Sequence, residues 1–405
     1  MSEQADNVII LGAGASFDAG IPLMSNFIDT MWNLARTGRG PDGPIYPADR
    51  KILENALGVR EDLDGYHGRA SFDMWNIEDL LSILSFNAMA GGKTEKNRFE
   101  AITKGISKTI EISCNVKHDG NIGTDPDKGR NFIYEQFWSS LLKWSRETKF
   151  PVPPIVTFNY DLVLERSLLR VLTGSRYFGE RNSNFPWKKV VIRYGASAFN
   201  ETAFDAKVVQ WDRWDEMRNS STWGLKLEES KTIPANDDEQ TLRINLYKLH
   251  GSLNFPRSEK EKSDKPAGHR LVTALEDPLI LPPVFNKATN SLGGSTWAEA
   301  LRCIRACKNL IVCGYSLPAT DIYMQYFLKS ALGPNQDLNR MFIYDRSLFI
   351  QEEAEVANAL KHRYSAIFSQ GIQHRIHFDP PRHTGGTFQD LVYILQNHPD
   401  HILFG

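Results

Sequence analysis

Three short stretches of this 405-residue chain carry residue types that could do chemistry together. Thr157-Phe158-Asn159-Tyr160-Asp161 offers an amide and a carboxylate two positions apart. Leu249-His250-Gly251 offers an imidazole followed by a glycine. Gly12-Ala13-Gly14-Ala15-Ser16 is a run of small residues whose backbone N–H groups can approach a phosphate closely. A histidine with an ordinary pKa of about 6.5 can take a proton from water or a hydroxyl at neutral pH. Asparagine can accept and donate hydrogen bonds without adding charge, and aspartate can stabilise positive charge developing on a substrate. Each stretch alone also has a structural explanation. Asn-Tyr-Asp starts turns, His-Gly closes loops, and a glycine turn can join strand to helix with no ligand.

Each stretch follows a predicted strand. Val8-Ile9-Ile10-Leu11 is the unbroken apolar run that a strand buried on both faces requires. Ile155-Val156-Thr157-Phe158 resumes strand character after Pro151-Val152-Pro153-Pro154, and Leu246 to Leu249 alternates into the histidine. A further strand over 309–313 leads through Gly314-Tyr315-Ser316 into a helix over 321–332, and the next strand, 341–344, ends at Asp345. That strand–helix–strand unit puts an acid about 30 residues beyond the glycine, where it can accept bonds from ribose hydroxyls. The first turn lacks these features. Phe17 stands where the common dinucleotide fingerprint has its third glycine, and no acid ends a second strand about 20 residues on. A cofactor spanning both units would place its adenosine near Gly314, Ser316 and Asp345 and its diphosphate near Gly12 to Ser16. The expected fold is α/β, a doubly wound Rossmann-like parallel sheet, because ligands of such sheets bind outside the carboxyl ends of the strands.

Residues 48–150 read as a helical insert, with apolar residues at three- and four-residue spacing at Ile77–Leu84 and Phe132–Leu142. The stretch 36–44 and the polar stretches 212–241 and 256–270 read as loops, one of which could be a lid. Residues 346–405 read as a C-terminal extension to a domain spanning 1–345, or as part of that same domain. Within the extension, 373–383, with His374, His377 and His383, reads as a structural strand and turn rather than a metal site, since residues two apart in a strand share a face but residues three apart do not. The four cysteines form no CxxC pair and read as reduced and mostly buried. A formal charge of −2 gives no reason to expect a nucleic-acid or anionic-membrane surface over the whole protein, though local patches leave direct nucleic-acid binding open. No apolar run approaches the roughly 18 residues needed to span a bilayer. Glu3 and Asp6 stand where a secretion signal carries positive charge, so a cytoplasmic location is expected.

Taken together, GAGAS with Gly20-Ile21-Pro22, TFNYD, LHG and the later CGYSL resemble the sirtuin family, in the family's order and over roughly residues 7–345. The resemblance implies an NAD-binding sheet that cleaves the bond between nicotinamide and ribose. It assigns Asn159 and Asp161 to the nicotinamide ribose and its water, and His250 to general base. It assigns Gly12, Ala13, Gly14, Ala15 and Ser16 to the phosphate loop, with Thr157 beside them, and Gly314, Ser316 and Asp345 to the adenosine side. The chemistry suits these types: departure of nicotinamide neutralises a positive charge and leaves an oxocarbenium-like ribosyl centre, so positioning and a weak base suffice.

Two departures matter. The protein-deacetylating members carry a zinc module of two CxxC pairs, absent here, so no structural zinc is implied. Leu23-Met24-Ser25 replaces their acidic-Phe-Arg segment after Gly-Ile-Pro. The layout is similar instead to the sirtuin-like NAD-cleaving effectors of bacterial antiphage defence, in particular the stand-alone type that assembles with a HerA-like hexameric ATPase, which implies a large homo-oligomer. The leading expectation is an NAD glycohydrolase with NAD as substrate. A protein deacylase or ADP-ribosyltransferase is a second reading. A module that senses NAD or ADP-ribose, or a nucleic-acid-processing subunit, is a third.

Overall fold

The computed structural model describes residues 5–66, 72–118, 131–173, 186–195, 201–215, 218–230, 240–257, 267–281, 294–318, 321–349, 354–378 and 385–404. Strand β1 (Asn7–Leu11) is buried along its length, as its apolar run requires. The glycine segment after it winds into a 3-10 turn over Ala13–Ala19, closed by Gly20 at φ 80°, and the chain then enters α1 (Phe27–Thr37). The stretch expected as a loop at 36–44 contains a minimal hairpin, β2 (Arg39–Gly40) and β3 (Gly43–Pro44). The helical insert comprises α2 (Pro47–Leu63), α3 (Ile77–Ala90), α4 (Lys93–Ser113) and α5 (Phe132–Thr148). Asn76 and Asn131 cap α3 and α5 by accepting the N–H groups of Glu78 and Ile133. Lys149, at φ 66°, ends α5, and the prolines that follow prevent its resumption.

The remainder runs β4 (Ile155–Thr157), α6 (Val163–Thr173), β5 (Lys189–Arg193), β6 (Glu201–Asp215), β7 (Arg218–Glu229), β8 (Thr241–Lys248), β9 (Gly251–Pro256), α7 (Ala267–Val272), β10 (Pro278–Ile280), α8 (Gly294–Ala306), β11 (Asn309–Cys313), α9 (Ile322–Leu332), β12 (Arg340–Tyr344), α10 (Ala354–Ser365), β13 (Ile376–His377) and α11 (Phe388–Asn397). The long antiparallel pair β6–β7 corrects the loop expected from 212: Trp214, Thr222 and Trp223 stand among the charged and polar residues there, and β-propensity prevails over polarity. Residues 231–239 and 258–266 of the expected loops lie outside the described residues.

The main sheet has the order β13-β12-β11-β1-β4-β8-β5-β6-β7, parallel from β13 through β5 and antiparallel beyond. This is a mixed α/β fold around a large, mostly parallel sheet. Helices cover both faces. One core joins the sheet to α1–α6 and α11, and the other joins it to α8, α9 and α10. The segment after 345 is integral to this body. Phe388 of α11 stacks on Tyr134 of α5 at 5.0 Å, and Asn7 of β1 exchanges two hydrogen bonds with Phe404, at 2.8 and 2.7 Å. Within it, residues 370–375 form a 3-10 turn before the two-residue β13, where the His377 ring stacks on Phe342. Residues 379–384, including His383, lie outside the described residues.

The cysteines yield a first prediction. Cys114, Cys307 and Cys313 are buried and Cys303 is half-buried. Burial raises all four thiols, Cys114 to about 11 and Cys307 to about 12. Since a raised pKa leaves little thiolate at pH 8, a thiol reagent is expected to label the native protein slowly, with Cys303 first, and to label all four rapidly in denaturant. Mass mapping of the labelled peptides checks the order.

Candidate functional site

The strand registers bring the sequence-predicted stretches into one row. Leu11 lies opposite both Cys313 and Thr157, Thr157 opposite Lys248, and Cys313 opposite Tyr344. The next residues, Gly12, Phe158, Leu249, Gly314 and Asp345, therefore leave the sheet side by side at its carboxyl edge. At β1 the winding reverses, because the chain proceeds from β1 towards β4 while β11 flanks β1 on the other side. The two loops diverge accordingly. Ala15 and Ala19 enter one core, and Tyr315 and Leu317 enter the other. Such a reversal point is where open parallel sheets bind ligands.

The glycines of the row meet each other. A Cβ on Gly12 would lie 2.4 Å from the oxygen of Gly314, and one on Gly314, at φ 66°, would lie 2.3 Å from the nitrogen of Ala15. The Gly12 N–H donates to Cys313 O at 3.0 Å, Gly14 N–H to Gly314 O at 2.9 Å, and Ala15 N–H to Gly12 O at 3.0 Å. These amides, expected to face a phosphate, are thus used inside the protein. Ala13, exposed at the start of the 3-10 turn, donates no such bond among the described residues. Tyr134 O–H supports the turn from beneath by donating to Ala15 O at 2.8 Å, and burial keeps that phenol protonated.

Asn159 is wired into this loop. Its side-chain N–H₂ donates to Gly12 O and to Ser16 Oγ, each at 2.8 Å, while its backbone N–H donates to Thr157 Oγ1 at 3.1 Å. Both amide protons are spent, so Asn159 cannot also donate to a substrate, as its side-chain type had allowed. Its Oδ1 has no protein partner among the described residues and is held in a fixed orientation. Thr157 is 1% exposed and shapes the turn from behind. Asp161 is buried, and its Oδ1 accepts the Val163 N–H at 3.0 Å, capping α6. Ser16, Tyr134, Thr157, Asn159, Asp161 and Lys248 line a void of about 10 Å³. That is one water's room, too small for a nicotinamide ring. A ligand reaching Asn159 must come from the solvent side, where Ala13 and Ser316 are exposed.

His250 approaches the same turn from its other side. Its ring lies 5.2 Å from Phe158 and 6.3 Å from Tyr160, the two neighbours of Asn159, and stacks on Trp297 at 6.4 Å. Trp297 Nε1 donates to Leu249 O at 3.0 Å, and Leu249 N–H to Thr157 O at 2.9 Å. No known family model matches the chain, and no curated protein is similar to it. Function must therefore be read from the site itself.

After β11, the Gly314 N–H donates to Tyr344 O at 2.8 Å, joining β11 to β12. Ser316 is exposed, and its carbonyl accepts from Arg363 at 3.0 Å. Asp345 stands at the end of β12, but its Oδ1 caps the next turn through Ser347, which leaves Oδ2 as its uncommitted oxygen among the described residues. Sequence reasoning missed Tyr315, whose ring lies 4.4 Å from Phe158 and whose hydroxyl donates to Asp321 at 2.8 Å, and also Trp297 and Tyr134. An aromatic in a core pattern carries no local sign of such a role. No cluster of three or more His, Cys, Asp or Glu that could hold a metal occurs among the described residues. No helix among them is long and apolar enough to cross a membrane. A larger groove of about 840 Å³ lies away from the row, between the β2–β3 hairpin, α4 and the residues after α7. Its charges largely pair off, Lys108 with Asp49 at 2.7 Å and Arg166 with Glu111 at 2.8 Å.

Proposed function

We propose that the chain is an NAD glycohydrolase with a Rossmann-like, sirtuin-like sheet, releasing nicotinamide and ADP-ribose. The supporting observation is the single register row in which Gly12, Phe158, Leu249 and Gly314 emerge together, with Asn159 bonded to the glycine loop and His250 against the same turn. In this reading the diphosphate lies over Ala13 and the adenosine near Gly314, Ser316 and Asp345. As the pyridinium leaves, positive charge develops on the ribose, and the fixed carbonyl of Asn159 presents the negative end of its dipole. His250 takes the proton of the attacking water. By the same reading the enzyme is a cytoplasmic, homo-oligomeric antiphage effector that depletes NAD and is restrained by a HerA-like ATPase.

Internal use of the loop amides and of the carboxylates of Asp161 and Asp345 favours a second reading, a module that binds NAD or ADP-ribose without cleaving it. Incubation with NAD separates the two. Stoichiometric appearance of nicotinamide and ADP-ribose by mass spectrometry, lowered about 10²-fold by His250→Ala, supports hydrolysis. Tight NAD binding by calorimetry with no nicotinamide released supports the binding module, and neither binding nor release overturns both.

A further inference from the structure

Lys248 sits two residues before His250 and has no role in the chemistry above. It closes β8 opposite Thr157, and its side chain is 1% exposed. Its ammonium lies 3.0 Å from Oε1 of Glu165 on α6, also 1% exposed, and donates to the main-chain oxygen of Asp161. Glu165 Oε1 also accepts from the Tyr194 hydroxyl at 3.2 Å, which in turn accepts from Asn254 Nδ2 at 3.1 Å. One buried cation thus links the end of β8, the first turn of α6 and the residues after β5.

Stability does not explain this arrangement. Taking two charges out of water offsets most of their attraction, and an apolar pair of similar size is often at least as stable. Glu165 Oε2, moreover, has no hydrogen-bond partner among the described residues, so the network is incomplete as a stabilising device. What the ion pair supplies is direction. β4 ends at Thr157, so the segment carrying Asn159 and Asp161 leaves the sheet there. Among the described residues, besides a longer bond from Ser252 Oγ to Tyr160 O at 3.4 Å, three bonds tie it to the strand and turn that deliver His250: Leu249 N–H to Thr157 O, Leu253 N–H to Tyr160 O, and Lys248 to Asp161 O. The first two are backbone bonds that any sequence could make. The third depends on Lys248, and Glu165 orients it.

We propose that Lys248, oriented by Glu165, is a positioning residue that sets the placement of Asn159 and Asp161 relative to His250. Its catalytic consequence rests on the glycohydrolase reading; its structural consequence does not. The test is the double variant Lys248→Met/Glu165→Gln in the full chain. It removes both charges, keeps an acceptor for Tyr194 and avoids the uncompensated buried carboxylate of Lys248→Met alone. Cooperative unfolding is expected to persist. The KM for NAD should change little, because the phosphate and adenosine loops are untouched. The kcat should fall about 10²-fold, the effect of misplacing reacting groups by about 1 Å. Amide exchange across residues 158–163 should accelerate at least tenfold, with β1 and β11 unchanged. A folded double variant with native kcat and native exchange in that segment overturns the proposal. Should the native chain release no nicotinamide, the functional reading fails alone, and the exchange measurement still decides whether Lys248 positions the turn.

Discussion

Asn159→Ala is expected to lower nicotinamide release about 10³-fold while the protein stays folded, the scale found when a preorganised dipole facing transition-state charge is removed. The structure separates two contributions. The amide N–H₂ holds Gly12 O and Ser16 Oγ, and the carbonyl is presented outward. Losing the two donated bonds costs about 1–3 kcal/mol of stability, since each is worth about 0.5–1.5 kcal/mol. Ser16→Ala removes one of those loop bonds and leaves the carbonyl, so it should reduce turnover only a few-fold. Asn159→Asp keeps the shape but sets a carboxylate against Gly12 O, and should lose both stability and activity. Steady-state kinetics beside a denaturation curve for each variant makes the comparison. If Ser16→Ala and Asn159→Ala were equally impaired, Asn159 would act through the loop alone, and its assignment to the ribose would fail.

Gly314→Ala is expected to destabilise the protein by about 3–4 kcal/mol and to abolish nucleotide binding. Two effects add. At φ 66° a side chain costs about 1–2 kcal/mol for the left-handed conformation. The added Cβ would also sit 2.3 Å from Ala15 N and 2.6 Å from the carbonyl carbon of Gly14, so the two loops must move apart. Gly12→Ala isolates the steric part, because φ there is −101° while its Cβ would still meet Gly314 O at 2.4 Å. Urea midpoints should therefore rank native above Gly12→Ala above Gly314→Ala. A midpoint for Gly314→Ala equal to the native one would mean that the loops do not touch as described.

These two variants show why the glycines were readable as important. Their smallness suggested room for a phosphate. In the fold each glycine also makes room for the opposing loop, and Ala13 between them is exposed.

The strands read at 8–11, 155–158, 309–313 and 341–344 were legible because a strand buried on both faces must be mostly apolar. Asp321 was readable as the start of α9 because a helix needs an acceptor for its first N–H groups, and its side chain takes the Met324 N–H. Such signals operate within about ten residues. The β6–β7 pair was not legible, since a polar, charge-rich run resembles a loop until a partner strand completes its ladder. The central order β11-β1-β4-β8, the row shared by Gly12, Phe158, Leu249 and Gly314, the consumption of Asn159's donors and the Lys248–Glu165 pair depend on segments 80 or more residues apart in sequence. Residue types alone determined which chemistry was available to this chain. Which atoms remain free to perform it was decided by tertiary structure, because a hydrogen bond made within the fold is no longer there for a ligand.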